Sequence, residues 1–123
     1  MNWDAIKNIY MYMLRYNCSI EWFGGDGDKI ICYDEDGSKS WEAEYQYGKQ
    51  HGKSIGWYKN GNKQSETIYQ NGNIHGKSIG WYKNGNKYWE IEYQYDQRHG
   101  KGICWYENGN KHWEAEYQNG IEQ

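Results

Sequence analysis

Proline is absent from this chain, phenylalanine occurs once, and cysteine occurs three times. Long apolar runs are missing as well. No stretch approaches the ~18 residues that a membrane-crossing helix needs. The segment IYMYML at 9–14 is too short to span, and no small-residue cleavage site of a secretory signal follows it. An intracellular protein is therefore expected. Basic charge is not in excess, with 14 Lys and Arg against 17 Asp and Glu for a net −3. Binding to nucleic acid or an anionic membrane surface rests on clustered Lys and Arg, so neither follows from this balance. What the chain has is 16 Gly, 14 Tyr and 8 Trp, with aromatics at 19%. A chain this aromatic buries too much apolar surface to stay disordered, and its length suits a single domain.

The glycines and aromatics recur on a fixed period. GKSIGWYKNGNK occupies 52–63 and again 76–87, and GKGICWYENGNK follows at 100–111. Extending the 24-residue offset gives four units, 29–52, 53–76, 77–100 and 101–123, the first degenerate. A period of this length is the signature of a repeat architecture in which neighbours share faces. Within a unit, KSIGWY (53–58) leads through KNG to NKQSETIY (62–69), and a second Asn-Gly stands at 71–72. Tyr, Trp, Ile and Thr favour strands and Asn-Gly marks tight turns, so each unit reads as a β-hairpin. The whole predicts an all-β repeat, an elongated single-layer antiparallel β-meander.

Two turn geometries fit Asn-Gly. A two-residue turn pairs Lys59 with Asn62. A type I turn with a bulge, left-handed at Gly61, pairs Tyr58 with Asn62. The second is favoured, because it gathers Ile55, Trp57, Lys63, Ser65, Thr67 and Tyr69 on one face. In the next unit Ile79, Trp81, Lys87, Trp89, Ile91 and Tyr93 follow suit. Gly37, Gly61, Gly85 and Gly109 are then turn glycines, as are Gly72 and Gly120 between units. Tyr69–Gly72 is expected to repeat the bulged geometry and pair Tyr69 with Asn73. The opposite face carries Gly56, Gly80, Tyr58, Tyr82 and the carboxylates Glu42, Glu66, Glu90 and Glu114.

Residues 1–28 lie outside the pattern. Trp3, Ile6, Tyr10, Met13 and Leu14 have helical spacing behind Asn2, which predicts a short N-terminal helical cap. A strand over 9–14 is the alternative. SIEWF (19–23) reads as an added strand. Cys32 and Cys104 hold equivalent places in the first and last units, roughly 29 Å apart at ~4.8 Å per strand. A disulfide needs Cα atoms within about 7 Å, so Cys18, Cys32 and Cys104 are expected to be reduced.

No residue cluster reads as catalytic. His51, His75 and His99 recur about 10 Å apart, too far to converge on one metal ion, and read as closing the inter-repeat turns. Glu114 and Glu116 have a glycosidase-like separation, but the pair recurs along the chain without a cleft. GGDGDK (24–29) lacks the ending of a phosphate loop. No enzyme, metal or cofactor is expected. The candidate binding residues are the aromatic columns Trp41, Trp57, Trp81, Trp89, Trp105 and Trp113, with Tyr69 and Tyr93.

The repeat WYKNGNKQSETIYQNGNIHGKS (57–78) and its copies resemble MORN repeats. They are most similar to the variant form found in antitoxin components of toxin–antitoxin systems, across bacteria and large DNA viruses. The resemblance implies a hairpin meander that works as a scaffold for protein contact, with dimerisation, phospholipid-headgroup binding and an antitoxin-like role among the family's possibilities. It places the chain in the cytoplasm of a bacterium, or of a host cell if viral. A ligand-binding aromatic platform for glycan or choline is the alternative. A helix of ~12 residues is about 18 Å long, while eight strands span roughly 35 Å. The cap would leave apolar surface uncovered, and such patches mark contact surfaces. A homodimer is expected, face to face through the Trp–Ile–Tyr surface or edge to edge through HWEAEYQ (112–118).

Overall fold

The computed structural model describes residues 18–21 and 27–123. The helical cap expected near the N-terminus lies outside them. Ten strands run in chain order as one antiparallel sheet: β1 (Cys18–Glu21), β2 (Asp28–Tyr33), β3 (Lys39–Gln46), β4 (Lys49–Trp57), β5 (Lys63–Gln70), β6 (Asn73–Trp81), β7 (Lys87–Gln94), β8 (Gln97–Trp105), β9 (Lys111–Gln118) and β10 (Ile121–Glu122). Each strand pairs only with its sequence neighbours, an open meander. Among the described residues there is no helix and no second layer.

The hairpin tips have the expected bulged turn. The Tyr58 N–H donates to the Asn62 carbonyl at 2.9 Å, and the Gly61 N–H donates to the Tyr58 carbonyl at 3.0 Å. Gly61, Gly85 and Gly109 have φ of 90°, 92° and 94°, where a side chain is strained. The repeated asparagines tie each tip to the next. Asn60 Oδ1 accepts from the Asn62 N–H, and both side-chain amides donate to the Lys83 carbonyl at 2.8 and 2.9 Å. Asn84 and Asn86 bond the Glu107 carbonyl in the same way. Tyr58 and Tyr82 hydroxyls reach the carbonyls of Trp81 and Trp105 at 2.7 Å. The first unit has Asp36 in place of Asn60, and an ionised Asp cannot donate. Its Oδ1 accepts from Ser38 instead.

Two expectations about register are corrected. The inter-repeat turns are two-residue turns with both residues left-handed, Asn71 (φ 51°) and Gly72 (φ 87°) closing a Gln70–Asn73 pair. Tyr69 therefore opposes Ile74, not Asn73. The His-Gly pairs stand beyond these turns. Glycines 52, 76 and 100 take φ of 107°, 118° and 90° where the pairing shifts again. A Cβ on Gly52 would lie 2.5 Å from Glu44 Oε2.

The second correction concerns the faces. Trp57 opposes Lys63, but Gly56 opposes Ser65, so Gln64 is an extra residue in β5. The same bulge falls at Ser40, Tyr88 and His112. Each bulge moves the alternation by one and sends the two tryptophan sets to opposite faces. The physical reason is room: a Cβ on Gly80 would lie 2.3 Å from the Trp89 ring, so that indole lies flat over a glycine across the ladder.

One face thus carries a row Cys32, Trp41, Gly56, Ser65, Gly80, Trp89, Cys104, Trp113, each directly opposite the next. Beside it runs Ile30, Ala43, Ser54, Thr67, Ser78, Ile91, Gly102, Ala115. This second row holds most of the core: Ile30, Ala43 and Ile91 are 2%, 0% and 6% exposed, while Cys32 in the row beside it and Ile31 on the other face are also buried. Small residues line it, and aromatic rings on either side fold over it. A Cβ on Gly102 would touch Trp113 and Tyr117, both at 3.5 Å.

The cysteines also depart from expectation. Cys32 is disulfide-bonded, whereas Cys104 is free. The residue directly across the β1–β2 ladder from Cys32 is Cys18. The expectation of reduced thiols rests on the repeat-related pair Cys32 and Cys104 alone, whereas a neighbouring strand brings Cα atoms to about 4.5–5.5 Å.

Candidate functional site

The expected aromatic surface is two surfaces. Trp57, Trp81 and Trp105 lie on a lysine face, and Trp41, Trp89, Trp113, Tyr69 and Tyr93 lie on the glycine face described above. On the lysine face Ile31, Glu42, Ile55, Glu66, Ile79, Glu90, Ile103 and Glu114 form one row across the sheet. The carboxylates therefore share a face with isoleucines and tryptophans, contrary to the expected separation.

Each of three carboxylates on this face is held by two lysines. Lys63 and Lys53 approach Glu66 at 3.0 and 3.5 Å, and Lys87 and Lys77 approach Glu90 at 2.9 and 3.3 Å. Lys101 and Lys111 flank Glu114. Lys63 and Lys87, with Lys39 from the first unit, also cover the indoles of the following unit: Lys39 over Trp57, Lys63 over Trp81 and Lys87 over Trp105, at 5.8–5.9 Å. These rings are not a bare stacking platform. A sugar ring would have to displace a lysine from each.

The lysines also set the acid limb of stability. Hydrogen bonds from Lys101, then Lys111, hold the Glu114 carboxyl down to about 2 from an ordinary 4.5. The bond from Lys87 leads in lowering Glu90. Burial pushes Glu66 up, but Lys63 and Lys53 together outweigh it and leave it lowered. A carboxyl whose folded pKa is depressed stabilises the fold above its unfolded value, and that contribution is lost as pH falls through the folded value. The urea midpoint should hold from pH 7 down to about 5, then fall as pH drops from about 4.5 toward 2. Glu66→Gln/Glu90→Gln/Glu114→Gln should flatten that fall, read as the difference in midpoint between pH 7 and pH 3.

On the glycine face, Trp41 Nε1 donates to Ser54 Oγ at 3.0 Å and Trp89 Nε1 to Ser78 Oγ at 3.3 Å. Their indole N–H groups are thus satisfied inside the sheet surface. Ser65 replaces the tryptophan in the second unit. A shallow cavity of about 350 Å³ opens beside Trp89, bounded by Tyr88, Ile91, Tyr93, Arg98 and Cys104. The Arg98 guanidinium lies 5.2 Å over the Tyr117 ring, and its Nη1 donates to the Tyr117 hydroxyl at 3.1 Å. The hydroxyls of Tyr93, across the ladder, and of Tyr117 raise its pKa. Burial pushes the Cys104 thiol up, which leaves it a poor nucleophile. Sequence reasoning missed Arg98. The signal was its break with the repeat, since Gln50 and Ile74 hold the equivalent places.

His51 and His112 have local partners. His51 Nδ1 accepts the Asn71 N–H at 3.2 Å, so it contacts the next inter-repeat turn. His112 stacks on Tyr106 at 4.4 Å from its bulge position. Among the described residues no group of three or more His, Cys, Asp and Glu is placed to hold a metal ion, and no helix is long and apolar enough to cross a membrane. No family model and no curated protein matches the chain.

Proposed function

We propose that this chain is a non-enzymatic repeat scaffold of the MORN type, working inside a cell, whose glycine face receives a protein partner. One observation carries the reading: Trp41, Trp89, Trp113, Tyr69 and Tyr93 stand half-buried on a sheet face with no second layer among the described residues. Rings that seal the small-residue row below still present their outer surfaces. Aromatic groups of low conformational entropy on a rigid sheet are what protein-binding surfaces enrich. The hydrogen-bonded tips and turns, repeated at a fixed offset, supply the rigidity.

Self-association face to face fits this surface poorly. The facing copy would bring another Arg98 and no carboxylate from β3 to β9, so burial would strand a charge. Edge pairing leaves the face free, and β9 is paired by β10 only at Tyr117 and Gln118.

Affinity capture from the source extract tests the scaffold reading. The native chain should retain a defined protein. Trp41→Ser/Trp89→Ser/Trp113→Ser, which copies the natural Ser65 into the other units, should release it, and Trp81→Phe on the other face should keep it. Capture unaffected by the triple substitution would overturn the assignment of the face. Turnover abolished by a single substitution, in an unbiased hydrolase and transferase screen, would overturn the non-enzymatic reading.

A further inference from the structure

From β3 to β9 the paired positions of the glycine face are Trp, Tyr, Gly, Ala, Ser, Thr, Ile, Cys and Gln, with a single charge, Arg98. The one acidic residue of the adjoining β2 on this face, Asp28, is 1% exposed and stands six strands away. Among the described residues Arg98 has no carboxylate partner. It bonds the Tyr117 hydroxyl, which uses part of its five N–H donors, and faces Tyr93 directly across the β7–β8 ladder. The nearest acidic residue in sequence, Asp96, instead accepts the Ile74 N–H at 2.7 Å. The guanidinium is held in place on both sides by tyrosines and borders the cavity beside Trp89. A fixed, planar, uncompensated cation among rings is the donor half of a carboxylate site. A single cation matches one carboxylate better than a phosphate, which carries more charge.

We propose that the Arg98 cavity receives a carboxylate, borne on an acidic side chain of the protein that docks on the glycine face, with an apolar group beside it on Trp89 and Ile91. The proposal rests on the docking reading above and adds the chemistry of the partner. It commits to a different protein, because from β3 to β9 the same face of a second copy offers no carboxylate.

Phenylacetate is the probe, with phenylacetamide as its neutral match. Both are titrated into the full chain while the Trp89 indole N–H resonance is followed by NMR. The acid should shift that resonance saturably and bind at least tenfold more tightly than the amide. Arg98→Met should remove the difference, and Arg98→Lys should retain part of it. An unchanged spectrum away from β8 shows that Arg98→Met remains folded. Equal binding of acid and amide, an undiminished preference in Arg98→Met, or no shift with either probe would overturn the carboxylate site. Such a result leaves the capture experiment free to succeed, so the two proposals fail separately.

Discussion

Gly80→Ala should be among the most damaging single-methyl changes in this chain. The added Cβ would sit 2.3 Å from the Trp89 ring, closer than any real contact, and an indole that covers the core row cannot tilt freely. Overpacking of this kind costs roughly 1–3 kcal/mol. The thermal midpoint should fall by roughly 4 °C or more for each kcal/mol. Two internal controls separate the collision from a general intolerance of alanine. Gly102→Ala places its Cβ 3.5 Å from Trp113, an ordinary contact, and should be close to neutral. In a Trp89→Ser background, which copies the natural Gly56–Ser65 pairing, Gly80→Ala should cost little more. The double-mutant cycle would then return nearly the whole Gly80→Ala loss as coupling. A neutral Gly80→Ala in the native background would contradict the register.

Gly85→Val probes a different cost. No side chain would crowd a Cβ on Gly85, whose nearest neighbour would be Asn62 Nδ2 at 3.9 Å, and nothing would lie within 4 Å of a Cβ on Gly61 or Gly109. The penalty is backbone strain alone, since a β-branched residue is forced to φ near 92°. That is worth roughly 1–3 kcal/mol or more. The tips of successive units lie about 10 Å apart but are joined by the amide bonds from each tip to the next, so the three losses add only to first order. Gly61→Val/Gly85→Val/Gly109→Val should therefore lose roughly 3–9 kcal/mol, against a typical domain stability of about 5–15 kcal/mol. Gly85→Asn should be milder, because Asn tolerates the left-handed region. Urea melts that show no loss for the triple variant would contradict the turn geometry.

The tips were legible in the sequence because Asn-Gly has few ways to turn, and both the pairing of Tyr58 with Asn62 and the left-handed Gly61 follow from it. The strand order was legible from the repeat itself. The faces were not. A period of two, counted outward from the turn, passes straight through Gln64 and its equivalents, and one extra residue inverts everything beyond it. The correcting signal was present: Gly or Cys at 32, 56, 80 and 104 is the small partner that a Trp at 41, 89 and 113 requires. Size complementarity across a ladder outweighs the gathering of apolar groups on one side. Arg98 was invisible for the opposite reason. A search for what recurs passes over the residue that does not.

Trp89 lies over Gly80 on one face while Trp81 lies under Lys63 on the other. Nuclear Overhauser contacts in the labelled full chain test this arrangement most directly. Strong contacts are expected from the Trp89 ring protons to the Gly80 α-protons, and from the Trp81 ring to the Lys63 side chain. Contacts between the Trp89 and Trp81 rings, with none from Trp89 to Gly80, would contradict it.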